Sequence, residues 1–192
     1  MSVKNYKPSL CHRSDIKDFI ETWHYSKNVN GLTIDYCFRL DDENGNLIGA
    51  MIYGKIAMAN VWKKYTEQES ELIELKRLCC IDDTPKNTES YFIGWTIRYL
   101  KKIKSIKTII SYADMTYNHA GTIYKASNFK HYGFTAKGRV IMYNDKRYHD
   151  KTIRTKYKGE LKPFARQIAD ALIDGSAKYV ETKGKHVYLY SL

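Results

Sequence analysis

The sequence predicts an α/β fold with one mixed sheet, and three observations carry that prediction. Tyr36 to Leu40 and Leu47 to Tyr53 read as strands flanking the turn Asp42-Glu43-Asn44-Gly45-Asn46. Its Asn-Gly pair accepts positive φ cheaply, so the two strands form a hairpin. A strand over Leu72 to Ile81 is followed by a helix opening near Ser90 and a strand over Ile106 to Tyr112. Such a strand–helix–strand unit favours a parallel pair with a crossover. Finally, 192 residues with 43% hydrophobic and 28% charged content can bury a real core, which excludes a disordered chain.

Each element has its own warrant. Ser14-Asp15 precedes Ile16, Phe19, Ile20 and Trp23, an i, i+3, i+4, i+7 spacing that predicts a capped amphipathic helix ending near His24. Residues 56–71 show no clear period. The stretch Leu72 to Ile81 is rich in Leu, Ile and Cys but interrupted by Glu74, Lys76 and Arg77. Pro85 and Asn87-Thr88 break the chain before the next helix, which places Phe92, Trp95, Tyr99 and Ile103 on one side. Asn118 to Phe129 reads as a short helix, Tyr132-Gly133-Phe134 as a turn, and Val140 to Tyr143 as a strand. A basic segment from Lys146 to Lys158 precedes a helix over Glu160 to Asp174 and a closing strand over His186 to Tyr190. One domain is expected over 1–192, with a core of about 14–143 and a basic C-terminal extension over 144–192.

Charge points to a partner. Residues 1–100 hold 13 Lys and Arg against 14 Asp and Glu, whereas residues 101–192 hold 19 against 7, so the net +11 lies in the second half. Lys146, Arg147, Lys151, Arg154, Lys156 and Lys158 cluster there with Tyr148, His149 and Tyr157 interspersed. Cations bind phosphates regardless of sequence and aromatic rings stack on exposed bases, so nucleic acid is the expected partner. The other reading of the same run is a solvated face. No apolar run approaches the roughly 18 residues of a membrane span, and residues 1–10 lack the apolar core of a signal peptide. A soluble, cytoplasmic protein with no membrane partner is expected. Cys11, Cys37, Cys79 and Cys80 form no CxxC pair, so they read as reduced, structural thiols.

Several residues could carry chemistry. The joint from Leu72 to Ser90 aims a helix N-terminus at whatever lies beyond the strand, which suits a phosphate. Thr88 or Ser90 could equally serve only as a cap, and the absence of glycine from Thr84 to Ser90 excludes Walker and Rossmann loops. Glu74 and Arg77 are an odd number of residues apart. A regular strand therefore sends them to opposite faces, where they cannot neutralise each other. One is then solvated at the open face or lines a site, and Arg77 could hold a phosphate or an oxyanion. Asp114 falls just beyond a strand's C-terminal end, where open α/β sheets place ligands, or else caps the next segment. His24 beside Tyr25 offers a base or metal ligand next to a phenol, and no spacing supports a metal site.

Together these residues resemble the Mom family of bacteriophage DNA-modification proteins, variants of the GCN5-related N-acetyltransferase fold. The resemblance rests on His24-Tyr25-Ser26, Glu74-Leu75-Lys76-Arg77-Leu78, Ser90-Tyr91-Phe92-Ile93-Gly94 and Ser111-Tyr112-Ala113-Asp114. It extends through the run from His119 through Tyr124 to Asn128-Phe129, and to Gly133-Phe134. It implies a mixed sheet flanked by helices and an enzyme that converts adenine in DNA to its N6-carbamoylmethyl form, shielding phage DNA from restriction. It also implies an acyl-CoA or acetyl-CoA pocket and admits iron. His24, Tyr25, Arg77, Ser90, Asp114 and Tyr124 match the family's functional positions.

On that footing Asp114, with His24, takes the proton from the N6 amine. Tyr25 and Tyr124 position base or donor. Arg77 and Ser90, with Asn87 and Asn128, bind the small-molecule donor. Lys146, Arg147, Lys151, Arg154, Lys156 and Lys158 grip DNA, from which the base must be extruded. The usual glycine-rich pyrophosphate loop of the acetyltransferases is replaced by Lys86-Asn87-Thr88-Glu89-Ser90. The alternatives are a conventional acetyl-CoA-dependent N-acetyltransferase and a DNA-binding protein without chemistry.

Overall fold

A computed structural model of the protein describes residues 3–192. The chain forms two compact units, one from residues up to Ala113 with Ala120–Gly133 and His186–Leu192, the other from Asp114–His119 and Phe134–Lys185.

The first unit is built on a seven-stranded sheet. Its strands are β1 (Lys7–Cys11), β2 (Tyr36–Asp41), β3 (Leu47–Gly54), β4 (Leu72–Cys80), β5 (Thr108–Asp114), β6 (Lys130–Phe134) and β10 (Lys185–Ser191). Their spatial order is β1-β2-β3-β4-β5-β10-β6. Strands β1 to β4 run antiparallel, and β4 pairs in parallel with β5. The expected hairpin and crossover are both present. Asp42 holds the hairpin turn by accepting the backbone N–H groups of Asn44 and Asn46, each at 2.8 Å.

Helix α1 (Arg13–Trp23) packs Ile16 and Ile20 against Cys37, Ala50 and Ile52 on one face of the sheet. Its start is closed by the Asp15 carboxylate, which accepts the His12 N–H at 2.9 Å, so Asp15 acts from inside the helix rather than Ser14 from its edge. Helix α2 (Thr88–Leu100) lays Phe92, Ile93, Ile97 and Leu100 on the opposite face, with Phe38, Tyr53, Leu75 and Ile109. Tyr53 Oη and Thr96 Oγ1, both buried, share a hydrogen bond of 2.8 Å, which keeps two polar atoms satisfied inside that core.

Two local expectations fail. The helix expected over Asn118 to Phe129 shrinks to α3 (Thr122–Ala126), because Asn118, Gly121 and Asn128 all adopt left-handed backbone at φ 58, 70 and 63. Gly121 could not be larger: a Cβ there would run into the ring of Tyr188, whose hydroxyl donates to the Ala120 carbonyl at 2.6 Å. Tyr132-Gly133-Phe134 is part of strand β6 rather than a turn.

The second unit holds the antiparallel sheet β8-β7-β9, from β7 (Arg139–Tyr143), β8 (Lys146–His149) and β9 (Lys178–Glu181). Helix α4 (Pro163–Ile173) covers it through Ile168 and Ala171 against Ile141 and Ala177. The basic segment is therefore an insertion between β6 and β10, not a tail. The chain returns to the main sheet with β10 between β5 and β6, a placement that no local pattern encodes. No helix among the described residues is long and apolar enough to cross a membrane.

Candidate active site

Strand β4 carries the polar residues of the first unit, and its irregularity decides where they point. Ile52 pairs with Arg77 and Tyr53 with Leu75, so Lys76 is an extra residue without a partner on β3. This bulge resets the alternation. Leu75 and Leu78 both pack into the α2-side core, and Arg77 turns to the α1 side, as Glu74 does. The expectation that Glu74 and Arg77 occupy opposite faces fails for this reason.

The pairing of β4 with β5 covers only Leu72–Leu75 against Thr108–Ser111, while both strands continue beyond it. Polar groups cluster where the two strands part. Ser111 Oγ donates to the Leu75 carbonyl at 3.1 Å, and Arg77 Nη1 donates to the Lys76 carbonyl at 2.7 Å. Arg77 Nε reaches the Asn28 carbonyl at 3.2 Å. Lys76 Nζ lies 2.9 Å from Glu74 Oε2, with the two side chains 3% and 17% exposed. Burial lowers the pKa of the Arg77 guanidinium, opposed by the neighbouring Tyr25 phenol and the Glu74 carboxylate. Burial pushes the Tyr124 phenol up to about 12 against its hydrogen bond with Ser111, and Tyr25, Glu74 and Tyr188 push the same way as burial. Tyr112 is likewise raised by burial, then by Tyr65 and Glu74. Glu74 acts electrostatically on Arg77, Tyr112 and Tyr124. The Tyr112 and Tyr124 phenols hold their protons at neutral pH, and the Arg77 guanidinium stays charged.

His24 is buried, and its ring lies 4.2 Å from that of Tyr25. The Ser26 N–H donates to His24 Nδ1 at 3.1 Å, which makes Nδ1 an acceptor and leaves the proton on Nε2. In this tautomer the Nδ1 lone pair is already used. Asp114 belongs to the second unit and serves the capping role that the sequence left open. Its Oδ1 accepts the Thr116 N–H at 2.9 Å, and Lys185 Nζ lies 3.5 Å from Oδ2. Burial raises its pKa, but the Thr116 hydrogen bonds and the charges of Lys185 and Arg147 outweigh that and lower it. A carboxylate held that way is a weak proton acceptor.

A separate cleft of about 400 Å³ runs along α2. Asn87, Ser90 and Asn128 line it, together with Arg98, Lys101 and Ser127, whereas Arg77 does not. Asn87, at φ 73, makes the left-handed turn into α2 without a glycine and without a side-chain cap, leaving first-turn N–H groups available. Thr88 and Ser90 donate to the Pro85 and Asn87 carbonyls at 2.7 and 3.0 Å. Ser127 Oγ is buried without a hydrogen-bond partner. A helix start, two cations and an unsatisfied hydroxyl fit a phosphate-bearing acyl-CoA. Iron does not fit, because no group of three or more His, Cys, Asp or Glu among the described residues could hold a metal ion. The thiols are no better placed for chemistry, since burial pushes Cys11 and Cys79 up to about 12.

In the second unit the expected DNA contacts divide. Arg154 Nη2 lies 2.8 Å from Asp150 Oδ2 and Arg147 Nη1 donates to Tyr117 Oη at 3.2 Å, so both help build the fold. Lys146, Lys151, Lys156 and Lys158 are exposed, and no ion pair among the described residues engages them. Glu74, Lys76 and Ser111 were not among the expected site residues. The one signal for the first two was charge within an apolar strand.

The sheet order and the opening between β4 and β5 define an acetyltransferase-like fold. The chain is similar to a Bacillus subtilis acetyltransferase solved in complex with CoA, at 13% identity and a TM-score of 0.54 over 97% of this chain and 99% of that one. It is also similar to the spermidine N-acetyltransferase of Vibrio cholerae, at 11% identity and a TM-score of 0.55 over 98% and 94%. The chain belongs to the Mom protein family, whose family model matches residues 6–192. It is 28% identical over 121 residues to the methylcarbamoylase Mom of Escherichia phage Mu, a match covering 61% of this chain and 49% of that relative. The chain therefore spans about half the length of the curated relative it matches.

Proposed function

We propose that the protein is a DNA-modifying transferase that converts adenine N6 in DNA to N6-(carbamoylmethyl)adenine and so protects phage DNA from restriction. The observation that carries this reading is the family match over residues 6–192, which includes every residue of the β4 cluster. The N6 amine is a poor nucleophile because its lone pair is delocalised into the ring. Its proton must leave as the new bond forms. Glu74 is the carboxylate best suited to accept it, held by Lys76 on the same face as Arg77. Asp114, with both oxygens occupied, orders the turn after β5 instead.

Arg77 stabilises negative charge developing on the donor. Tyr124 holds a proton at its phenol oxygen, available to a leaving group, and Tyr25, 41% exposed, packs against the incoming base. His24 orients Tyr25 through their ring contact. Asn87, Ser90, Asn128 and Ser127 hold the donor in the α2 cleft. The product's new bond joins N6 to a methylene carbon, so the donor must present that carbon with a leaving group. The carbonyl carbon of an acyl-CoA would instead suit the acetyl-transfer reading below. Lys146, Lys151, Lys156 and Lys158 attract the DNA backbone.

Plasmid DNA from bacteria expressing the protein tests this directly. It is expected to resist restriction enzymes whose sites contain adenine, with resistance lost in Arg77→Ala and Tyr124→Phe. Complete digestion despite abundant folded protein would count against the reading. The α2 cleft favours a second reading, an N-acetyltransferase acting on a small amine or a protein. It predicts acetyl transfer to amines without DNA.

A further inference from the structure

The inserted unit carries more than positive charge. Of six cation–ring contacts among the described residues, four lie in it: Arg139 over Tyr179 at 4.1 Å, Arg147 over Tyr117 at 5.8 Å, and Lys158 and Lys162 over Tyr157, each at 5.8 Å. At the usual frequency, a unit of roughly 60 residues would carry about one. The three rings are exposed: Tyr157 64%, Tyr117 42% and Tyr179 41%.

Their settings are ordered. Tyr157 opens a tight turn closed by Tyr157 N–H to Glu160 carbonyl at 2.7 Å and Glu160 N–H to Tyr157 carbonyl at 3.2 Å. Lys158 and Gly159 at its tip have φ 52 and 86. Tyr179 stands on the edge strand β9, and Tyr117 accepts a hydrogen bond from Arg147. A phosphate surface needs only the cations. Exposed rings held beside cations offer π-faces, and a base-paired duplex hides the faces of its bases inside the stack.

We infer that the inserted unit is a binding surface for single-stranded DNA, with Tyr117, Tyr157 and Tyr179 as stacking platforms and the cations beside them as phosphate contacts. This rests on the reading of DNA as the partner and deepens it. An unpaired strand is the form in which an adenine presents its N6 to a buried site. Stacking tolerates any base, so the preference is for strandedness rather than sequence.

The test is fluorescence anisotropy of the full chain with a labelled mixed-sequence oligonucleotide, single-stranded and as the matching duplex, across a salt series. The single strand is expected to bind more tightly. Tyr157→Ala and Tyr179→Ala should each weaken it roughly 5-fold to 100-fold without changing the slope of log affinity against log salt. Lys158→Ala should flatten that slope by about 0.7. Leu should fail to replace either tyrosine and Phe should succeed, which separates stacking from loss of fold. Duplex bound as tightly as single strand, with the alanine variants unaffected, overturns the inference and leaves a plain duplex-phosphate surface. Absence of binding to either form overturns the inference together with the DNA reading.

Discussion

Replacing Lys76 by Met breaks the pair with Glu74 and leaves a half-buried carboxylate beside an apolar chain. The Lys76 side chain is 3% exposed and that of Glu74 17%, so water cannot fully compensate either partner. Removing one member of a buried pair costs about 3–5 kcal/mol. Because Glu74 keeps some solvent and has Arg77 within electrostatic reach, the lower end, about 3 kcal/mol, applies. For a chain of this size that corresponds to a melting temperature lower by about 6–12 °C. The double variant Glu74→Leu with Lys76→Met removes both charges and should return to within about 1 kcal/mol of the parent. Urea unfolding of the parent, both single variants and the double variant gives the coupling energy. A Lys76→Met variant as stable as the parent, or a double variant no better than the single, would refute the view that the bulged strand β4 buries a mutually dependent ion pair.

Three further outcomes follow from individual side chains. Ser127→Ala removes a buried hydroxyl that has no partner, so it should stabilise the ligand-free protein by about 1 kcal/mol while weakening acetyl-CoA binding in calorimetry. Loss of stability, or unchanged affinity, would remove Ser127 from the donor cleft. His149 has its pKa lowered by burial first and then by Lys151, so the unfolded chain binds the proton more readily. Stability contributed by the neutral ring is present above the unfolded value of about 6.5 and falls as pH drops below it, and His149→Gln should reduce that fall in urea titrations at pH 7.5 and 5.5. Arg154→Glu puts a second carboxylate beside buried Asp150 and should cost about 2 kcal/mol, whereas Lys156→Glu should leave melting unchanged. Equal melting of the two variants would make Arg154 another solvated cation.

Much of the fold was legible because its signals are local. The Asn44-Gly45 turn, the apolar stripe of α1 and the strand–helix–strand crossover each declare themselves within a single stretch of chain, and all three stand. The position of β10 between β5 and β6 is a long-range pairing, so a basic insertion read as a tail. Three left-handed residues shortened the helix around Tyr124, because Asn118, Gly121 and Asn128 are residue types that enter that region at little cost.

At the site, Glu74 and Arg77 were noticed as charges in an apolar strand, but period-2 alternation sent them apart. One unpartnered residue, Lys76, reverses that conclusion, and a bulge has no reliable sequence mark. Asn87, Ser90 and Asn128 do line one cleft. Asp114 drew attention by its place at a strand end, where spacing alone cannot separate a base from a cap. In the structure Asp114 Oδ1 caps the following turn by accepting the Thr116 N–H.

Nucleoside mass spectrometry of DNA from cells expressing the protein tests the central claim most directly, because it reads the chemical product on the base itself. The account predicts N6-(carbamoylmethyl)adenine with the parent chain, a sharp loss with Glu74→Gln and Arg77→Ala, and retention of the product with Asp114→Asn. An adenine pool left unmodified in the presence of folded parent protein would contradict the assignment of the β4 cluster to DNA modification.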